Sequence, residues 1–341
     1  MRDRGGPAQP LLSVTGLRKY FPLRGPLGNV NAHVQAVDGI GFNVMKGETL
    51  GVVGESGCGK STTARLLMHL IEPDAGEIVL DGDPIGQGGI TVRELRRNVQ
   101  MVFQDSYASL NPRHSATTEI AFGLKVHGMK AAQARQQAHA ALRLVGLDPD
   151  LFGDRYPHEM SGGQRQRVNV ARGIALNPRL LILDESVSAL DKSVQAQVLN
   201  LLADLKDRLN LTYMFISHDL NVVHHVADRV LVMYLGKVFE IGPADSIYAK
   251  AAHPYTKALL ASRLSMNPAH RVSAAPLTGD PPNPVRPPSG CRFRSRCTLA
   301  ETICAVEEPA LNDIAVAHQV ACHAVTPGSG HSLARGIANA A

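Results

Sequence analysis

One run constrains this chain more than any other: Gly54-Glu55-Ser56-Gly57-Cys58-Gly59-Lys60-Ser61-Thr62. An apolar, strand-like stretch, Thr49 to Val53, leads into it, and a helix-like stretch, Thr62 to Leu70, leads out. Strand, glycine-rich loop, Gly-Lys-Ser and helix together form a phosphate-binding loop. Glycines let backbone N–H groups curl around an anion, and the helix start adds the positive end of its dipole. Lys60 is then set to reach the β- and γ-phosphates of a nucleoside triphosphate, and the Ser61 hydroxyl to ligate Mg²⁺. Cys58, at the same helix start, is expected to favour its thiolate.

The rest of the chain suits a large α/β domain with an appendage. Its 341 residues exceed one compact core, and 44% are hydrophobic. No apolar run approaches the roughly 18–20 residues that cross a bilayer. The opening Met1-Arg2-Asp3-Arg4-Gly5-Gly6-Pro7 lacks the apolar core of a signal peptide, so a cytosolic protein is expected. The net charge of +5 is scattered rather than blocked, which gives no reason to expect a nucleic-acid partner.

Strands are expected at Leu11–Val14, Ala36–Val44, Glu77–Asp81 and Val99–Phe103, and a helical pattern from His114 to Leu144. Leu180–Leu183 reads as a buried parallel strand, followed by helix (Val194–Arg208), strand (Thr212–Ser217), helix (Leu220–Val226) and strands over Val230–Ile241. The Leu180 strand ends in Asp184 and Glu185: Asp184 suits Mg²⁺, and Glu185 suits the water that attacks the γ-phosphate. Ser161-Gly162-Gly163-Gln164 opens a further helix with a serine cap and small residues, where bare amides can approach an anion.

Met160-Ser161-Gly162-Gly163-Gln164-Arg165-Gln166-Arg167, about twenty residues before Asp184, resembles the signature motif of the ATP-binding-cassette (ABC) ATPases. The resemblance implies an α/β P-loop NTPase cassette, with a parallel sheet core, a β-rich N-terminal subdomain and a helical signature subdomain. It implies ATP and Mg²⁺ as cofactors. Gln104, in Val102-Phe103-Gln104-Asp105, matches the Q-loop glutamine, which senses Mg²⁺ and the attacking water and contacts the permease. Asp191, closing Ser188-Ala189-Leu190-Asp191, matches the D-loop, and His218 the switch histidine that bonds the γ-phosphate. Phe21 matches the aromatic that stacks on adenine, with Tyr20 as the alternative. In the family two cassettes pack head to tail, each lending its signature helix to the other's γ-phosphate. Two departures stand out: Met160 replaces the usual leucine, and Ser186 the usual proline after the glutamate, which is expected to loosen Glu185.

Beyond about Ala261 the texture turns proline-rich. His253-Pro254-Tyr255-Thr256-Lys257-Ala258-Leu259-Leu260, then Pro287 to Cys297 and Cys304, resemble the C-terminal region of the oligopeptide/dipeptide importer ATPases. The expected organisation is a cassette over 11–262, its helical subdomain at about 105–177. A small, irregular, cysteine-containing C-terminal module follows at 263–325, and 1–10 and 326–341 are expected to be disordered. The implied function is ATP hydrolysis energising peptide import; a soluble ABC ATPase acting on ribosome or DNA is the alternative. Implied partners are a second ABC ATPase (identical copy or related chain), two membrane permease subunits and, through them, a solute-binding protein. The implied location is peripheral, on the cytoplasmic face of the inner membrane. Dipeptides, longer peptides, glutathione and nickel chelates all remain open as cargo.

Cys291, Cys297, Cys304 and Cys322 are separated by five, six and seventeen residues, which lacks the tight chelate of structural zinc. Three readings stay open: a [4Fe–4S] cluster, whose separate iron corners tolerate wide spacing; zinc, with His318 or His323; and free thiols. Arg292, Arg294 and Arg296 are expected to balance the charge of a thiolate cluster.

Overall fold

The computed structural model describes residues 9–26, 28–86, 88–188, 190–262 and 279–336. The expectations for residues 1–8, 263–278 and 337–341 fall outside the described residues. In chain order the chain begins with β1 (Pro10–Arg24), β2 (Val30–Met45), β3 (Thr49–Val53), α1 (Lys60–Leu67), β4 (Ala75–Leu80) and β5 (Asp83–Pro84). Next come α2 (Val92–Asn98), β6 (Val99–Val102), α3 (Ala116–Val126), α4 (Ala131–Leu144), α5 (Pro149–Phe152) and α6 (Gly162–Ile174). Then follow β7 (Leu180–Asp184), α7 (Lys192–Leu209), β8 (Thr212–Ile216), α8 (Leu220–Val226), β9 (Arg229–Tyr234), β10 (Lys237–Pro243), α9 (Ala244–Lys250) and α10 (Pro254–Ala261). The chain closes with α11 (Thr302–Val306), β11 (Asn312–Ala315) and β12 (His318–Val320).

These elements divide into two compact units. One takes residues 1–13, 43–49 and 79–216. Its sheet is the parallel run β8-β7-β6, with Leu180 facing Thr212 and Val99 in register. Every residue of β7 and β8 is buried, which explains why they read as unbroken apolar runs rather than alternating ones. The long helical pattern after His114 resolves into two helices, α3 and α4. Gly128 breaks it at φ 92°, a conformation that an L side chain adopts at a cost. The apolar faces of α3, α4 and α6 bury Ile120, Leu124, Ala138, Leu142, Val168 and Ala171.

The other unit takes residues 14–42, 50–78 and 217–341. Here β3 pairs parallel with β9, β9 antiparallel with β10, β10 with β12 and β12 with β11. Most of β1, β2 and β4 lies in this unit, in the order β2-β1-β4, and β1 and β2 run well beyond the short strands expected. The tail is less irregular than its prolines suggest, since β11 and β12 extend an ordered sheet. Ordered structure also reaches past residue 326, where disorder was expected: Ser332–Gly336 forms a 3-10 turn, and His331 is 1% exposed.

Candidate nucleotide site

In the second unit the chain leaves β3 at its carboxyl end and turns through Gly54 to Gly59 into α1. The carboxyl edge of a parallel strand is where open α/β sheets bind ligands. The turn is possible only with glycine: Gly54 sits at φ 152° and Gly59 at φ 108°. A Cβ on Gly54 would stand 2.2 Å from the Met233 carbonyl oxygen, and one on Gly59 2.3 Å from that of Ala36. Gly59 is the N-cap of α1, so no side chain caps the helix start. Ser56 and Gly57 are exposed, while Gly54, Cys58, Gly59 and Lys60 are buried, and Glu55, Ser61 and Thr62 lie between. Lys60 folds back over the loop, its Nζ donating to the carbonyl oxygens of Gly54 at 2.8 Å and Glu55 at 2.9 Å.

Cys58 corrects an expectation. It is 4% exposed, and burial pushes its thiol up despite Lys60 nearby, so the thiolate is not favoured. The helix dipole acts on the thiol, but loss of solvation outweighs it.

Around the loop stand residues the sequence did not single out for the site. The Glu55 N–H donates to Tyr255 Oη at 3.0 Å. Arg296 Nη1 donates to both Glu55 carboxylate oxygens at 3.0 Å and to Tyr234 Oη at 3.3 Å. Arg292 bonds Asp38, the Leu235 carbonyl and, at 2.7 Å, Gln35. Asp38 also takes Lys237 at 3.0 Å and the Tyr20 hydroxyl at 2.5 Å. Burial, with Asp38 beside it, pushes the Tyr20 phenol up to about 12. Tyr20 is thus tethered through its hydroxyl, while its neighbour Phe21 is partly exposed and carries Lys19 over its ring at 5.8 Å. His218, just past β8, is exposed.

In the first unit, β7 delivers Asp184, 5% exposed, at its carboxyl end. Glu185 follows at φ 48°, a left-handed turn that carries its side chain out of the strand's alternation. Gln104, just past β6, donates from Nε2 to Glu185 at 2.8 Å, so two expected site residues meet. Ser186 is 3% exposed, and its hydroxyl is buried without a hydrogen-bond partner among the described residues. Ser161 caps α6 with a full capping box: the Gln164 N–H donates to Ser161 Oγ at 3.3 Å, and the Ser161 N–H to Gln164 Oε1 at 3.0 Å. Gly162 and Gly163 complete this partly exposed turn, and Met160 is buried as an apolar replacement should be. Asp191 caps α7, accepting from the Val194 N–H at 2.9 Å.

The four tail cysteines, with His253, Phe293, Arg294, His323 and His331, line one small cavity of about 10 Å³ in the second unit, room for roughly one water. None of the four is in a disulfide. Burial, with the neighbouring cysteines adding to it, pushes Cys291 up to about 12 and Cys322 to about 11. Among the described residues no three His, Cys, Asp or Glu side chains stand where they would hold a metal ion. In number and chemistry the four sulfurs fit a thiolate-bound group; their spacing here is not yet a coordination sphere. Arg292 and Arg296 were expected to balance the sulfurs and instead serve Asp38 and Glu55. Arg294 alone of the three lines the cavity. His318 is committed to Glu240 at 2.8 Å, which leaves His323 as the histidine of the two beside the thiols.

The model of the ABC transporter family matches residues 37–188, and that of the oligopeptide/dipeptide transporter C-terminal region matches 239–304. The chain is 48% identical to a probable peptide ABC transporter ATP-binding protein, y4tS, of Sinorhizobium fredii, covering 94% of this chain and 91% of that one. It is 46% identical to the oligopeptide transport ATP-binding protein AppF of Bacillus subtilis, over 92% of this chain and 97% of that one. To the dipeptide transport ATP-binding protein DppF of Haemophilus influenzae it is 45% identical, over 92% and 96%. Among solved structures, cbiO1 from Clostridium perfringens, part of the transporter complex cbiONQ, superposes with a TM-score of 0.61 at 28% identity, covering 71% of this chain and 91% of that one. The cassette MJ0796, a dimer bound to ADP and Pi, gives 0.59 at 25% identity, covering 68% and 98%.

Proposed function

This chain belongs to the ABC transporter family as one of its ATPases, and from that membership we propose that it energises import of peptides or related small solutes. What carries the peptide reading is the tail, matched over 239–304 and continuous with relatives named for peptide transport. A soluble cassette acting on ribosome or DNA is not favoured. No helix among the described residues is long and apolar enough to cross a membrane. From its family we assign the chain a peripheral place on the cytoplasmic face of the inner membrane, bound to two permease subunits and working with a second cassette.

In the proposed chemistry, Lys60 and the amides of Gly57 to Ser61 bind the phosphates, and Phe21 stacks on the base, a contact worth about 1–3 kcal/mol. Ser61, Gln104 and Asp184 would supply oxygens to Mg²⁺, which would offset charge developing on the phosphoryl group. Glu185 polarises the attacking water. Its bond from Gln104 supports this role, because an amide donor orients the carboxylate. His218 bonds the γ-phosphate. Ser161, Gly162, Gly163 and Gln164 close the γ-phosphate of the partner cassette, and Asp191 stands in the D-loop. Helix capping favours this use of Ser161: its Oγ accepts from Gln164, so its hydroxyl proton is left to donate.

For the tail cysteines we propose a [4Fe–4S] cluster held by Cys291, Cys297, Cys304 and Cys322, with zinc as the competing occupant. Such a group would supply cross-linking to a segment with little apolar core of its own. Metal and sulfide analysis of anaerobically purified protein distinguishes them: stoichiometric zinc without sulfide ends the iron reading.

Reconstitution tests the function as a whole. Co-expressed permeases should co-purify with this chain, and peptide delivered by the binding protein should stimulate its ATP hydrolysis in vesicles. Retention of the chain on ribosomes or DNA, with no permease bound, would overturn the importer reading.

A further inference from the structure

The phosphate loop contains a carboxylate. Glu55 lies among residues meant to receive a polyphosphate anion, and a bare glutamate there repels the ligand at close range, where screening is weak. The loop tolerates it because a cation from far along the chain sits on it. Arg296, 241 residues away, is 7% exposed as a side chain, and Glu55 is 19% exposed. Both carboxylate oxygens accept from the same guanidinium nitrogen.

Arg296 is itself held firmly. Tyr234 accepts from it at 3.3 Å and lies 5.9 Å beneath its guanidinium, a cation–π distance. Tyr234 packs 4.6 Å from Tyr255, whose hydroxyl receives the Glu55 N–H, and 5.5 Å from Phe293, edge to face. Phe293 and Arg296 lie in the turn that runs from Cys291 to Cys297, so the cysteine module and the loop share one cluster of side chains. Glu55 is thus fixed twice, at its amide by Tyr255 and at its carboxylate by Arg296. Its carbonyl oxygen in turn holds Lys60.

We propose that Arg296 is a positioning residue of the nucleotide site: from the four-cysteine module it neutralises and fixes Glu55, so that a phosphate loop carrying a carboxylate still accepts a triphosphate. The inference deepens the ATPase reading and rests on it. Losing the arginine leaves a half-buried, unpaired negative charge facing the phosphates, whereas losing both partners removes the repulsion.

The test is binding of trinitrophenyl-ATP, and its displacement by ATP and ADP, to the purified full-length chain. Arg296→Met should weaken ATP binding about 5- to 20-fold and ADP binding less, because ADP carries less charge. Arg296→Lys keeps the charge but not the shared geometry, and should lose about 2- to 4-fold. Glu55→Gln combined with Arg296→Met should return affinity to within about 3-fold of the unmodified chain. Wild-type affinity in Arg296→Met would overturn the proposal. So would a double variant as weak as Arg296→Met with an unchanged circular dichroism spectrum and melting temperature, since the arginine would then act through packing alone. Failure of the unmodified chain to bind trinitrophenyl-ATP takes down the ATPase reading and this inference together, whereas normal wild-type binding with unaffected variants takes down only the inference.

Discussion

Two helices in this chain start at glycine-rich turns, and the turns handle their amides in opposite ways. Before α1 the cap is Gly59, which has no side chain to offer, and the loop is braced from outside by Tyr255 and Arg296. Before α6 the cap is Ser161, which closes a full capping box with Gln164 and is exposed. The first turn spends glycine on backbone geometry, at positive φ and against neighbouring carbonyls. The second spends it on access: Gly162 and Gly163 are not left-handed, and a Cβ on Gly163 would meet only the Val194 side chain, at 2.7 Å. One turn leaves its helix start without a side-chain cap; the other closes its own with Ser161 and Gln164 and is exposed at the serine.

The largest effect expected tests whether chemistry belongs with neither turn. Glu185→Gln should retain ATP and lower its hydrolysis by about 10²–10⁴-fold, read as single-turnover phosphate release; near-normal turnover would remove Glu185 from the water-activating role. Next in size, Gly59→Ala should cost about 2–3 kcal/mol and lower the melting temperature, through its positive φ and the Ala36 carbonyl. Gly163→Ala should cost under about 1 kcal/mol, because a valine side chain can yield where a carbonyl cannot. Equal losses in these two alanine variants would erase the distinction between geometry and access. Ser161→Ala should cost about 1 kcal/mol of stability from the lost cap, measured by urea titration, and should impair hydrolysis only where two cassettes meet.

The smallest expected effect is pH dependence at Asp38. Its burial opposes ionisation, but bonds from Tyr20 and Lys237 prevail and hold the carboxyl below its ordinary value. A carboxyl lowered by folding contributes stability that is present above the unfolded value of 3.8 and is lost as pH falls through the folded one. Stability measured between pH 5 and pH 2.5 should therefore fall less in Asp38→Asn than in the parent.

The two turns were legible because their chemistry is local: nine consecutive residues define the first, and four the second. The end of β7 was legible for the same reason, as an apolar run meeting two carboxylates. The partners of Glu55 and Asp38 were not, because Arg296 and Arg292 lie more than 240 residues away and nothing in the periodicity of either segment announces the other. Placed beside cysteines, those arginines read naturally as counter-charges to sulfur, and only the fold directs them to carboxylates. Cys58 misled in the opposite direction. Its position at a helix start is visible in sequence, but its depth, set by β9 crossing the loop at Met233, is not. The strands of the tail escaped notice because they are three and four residues long and owe their order to β10.

Glu240 lies wholly inside the protein on β10 and is satisfied from three sides: the Ala252 and His253 amides, and the imidazole of His318 on β12. A shortened chain ending after α10 would strip away the third of these and uncover the edge of β10, leaving a row of unpaired backbone groups open to another strand. Anyone hoping to borrow the cassette alone, for a chimera with a tail-less transporter, should expect aggregation through that strand edge.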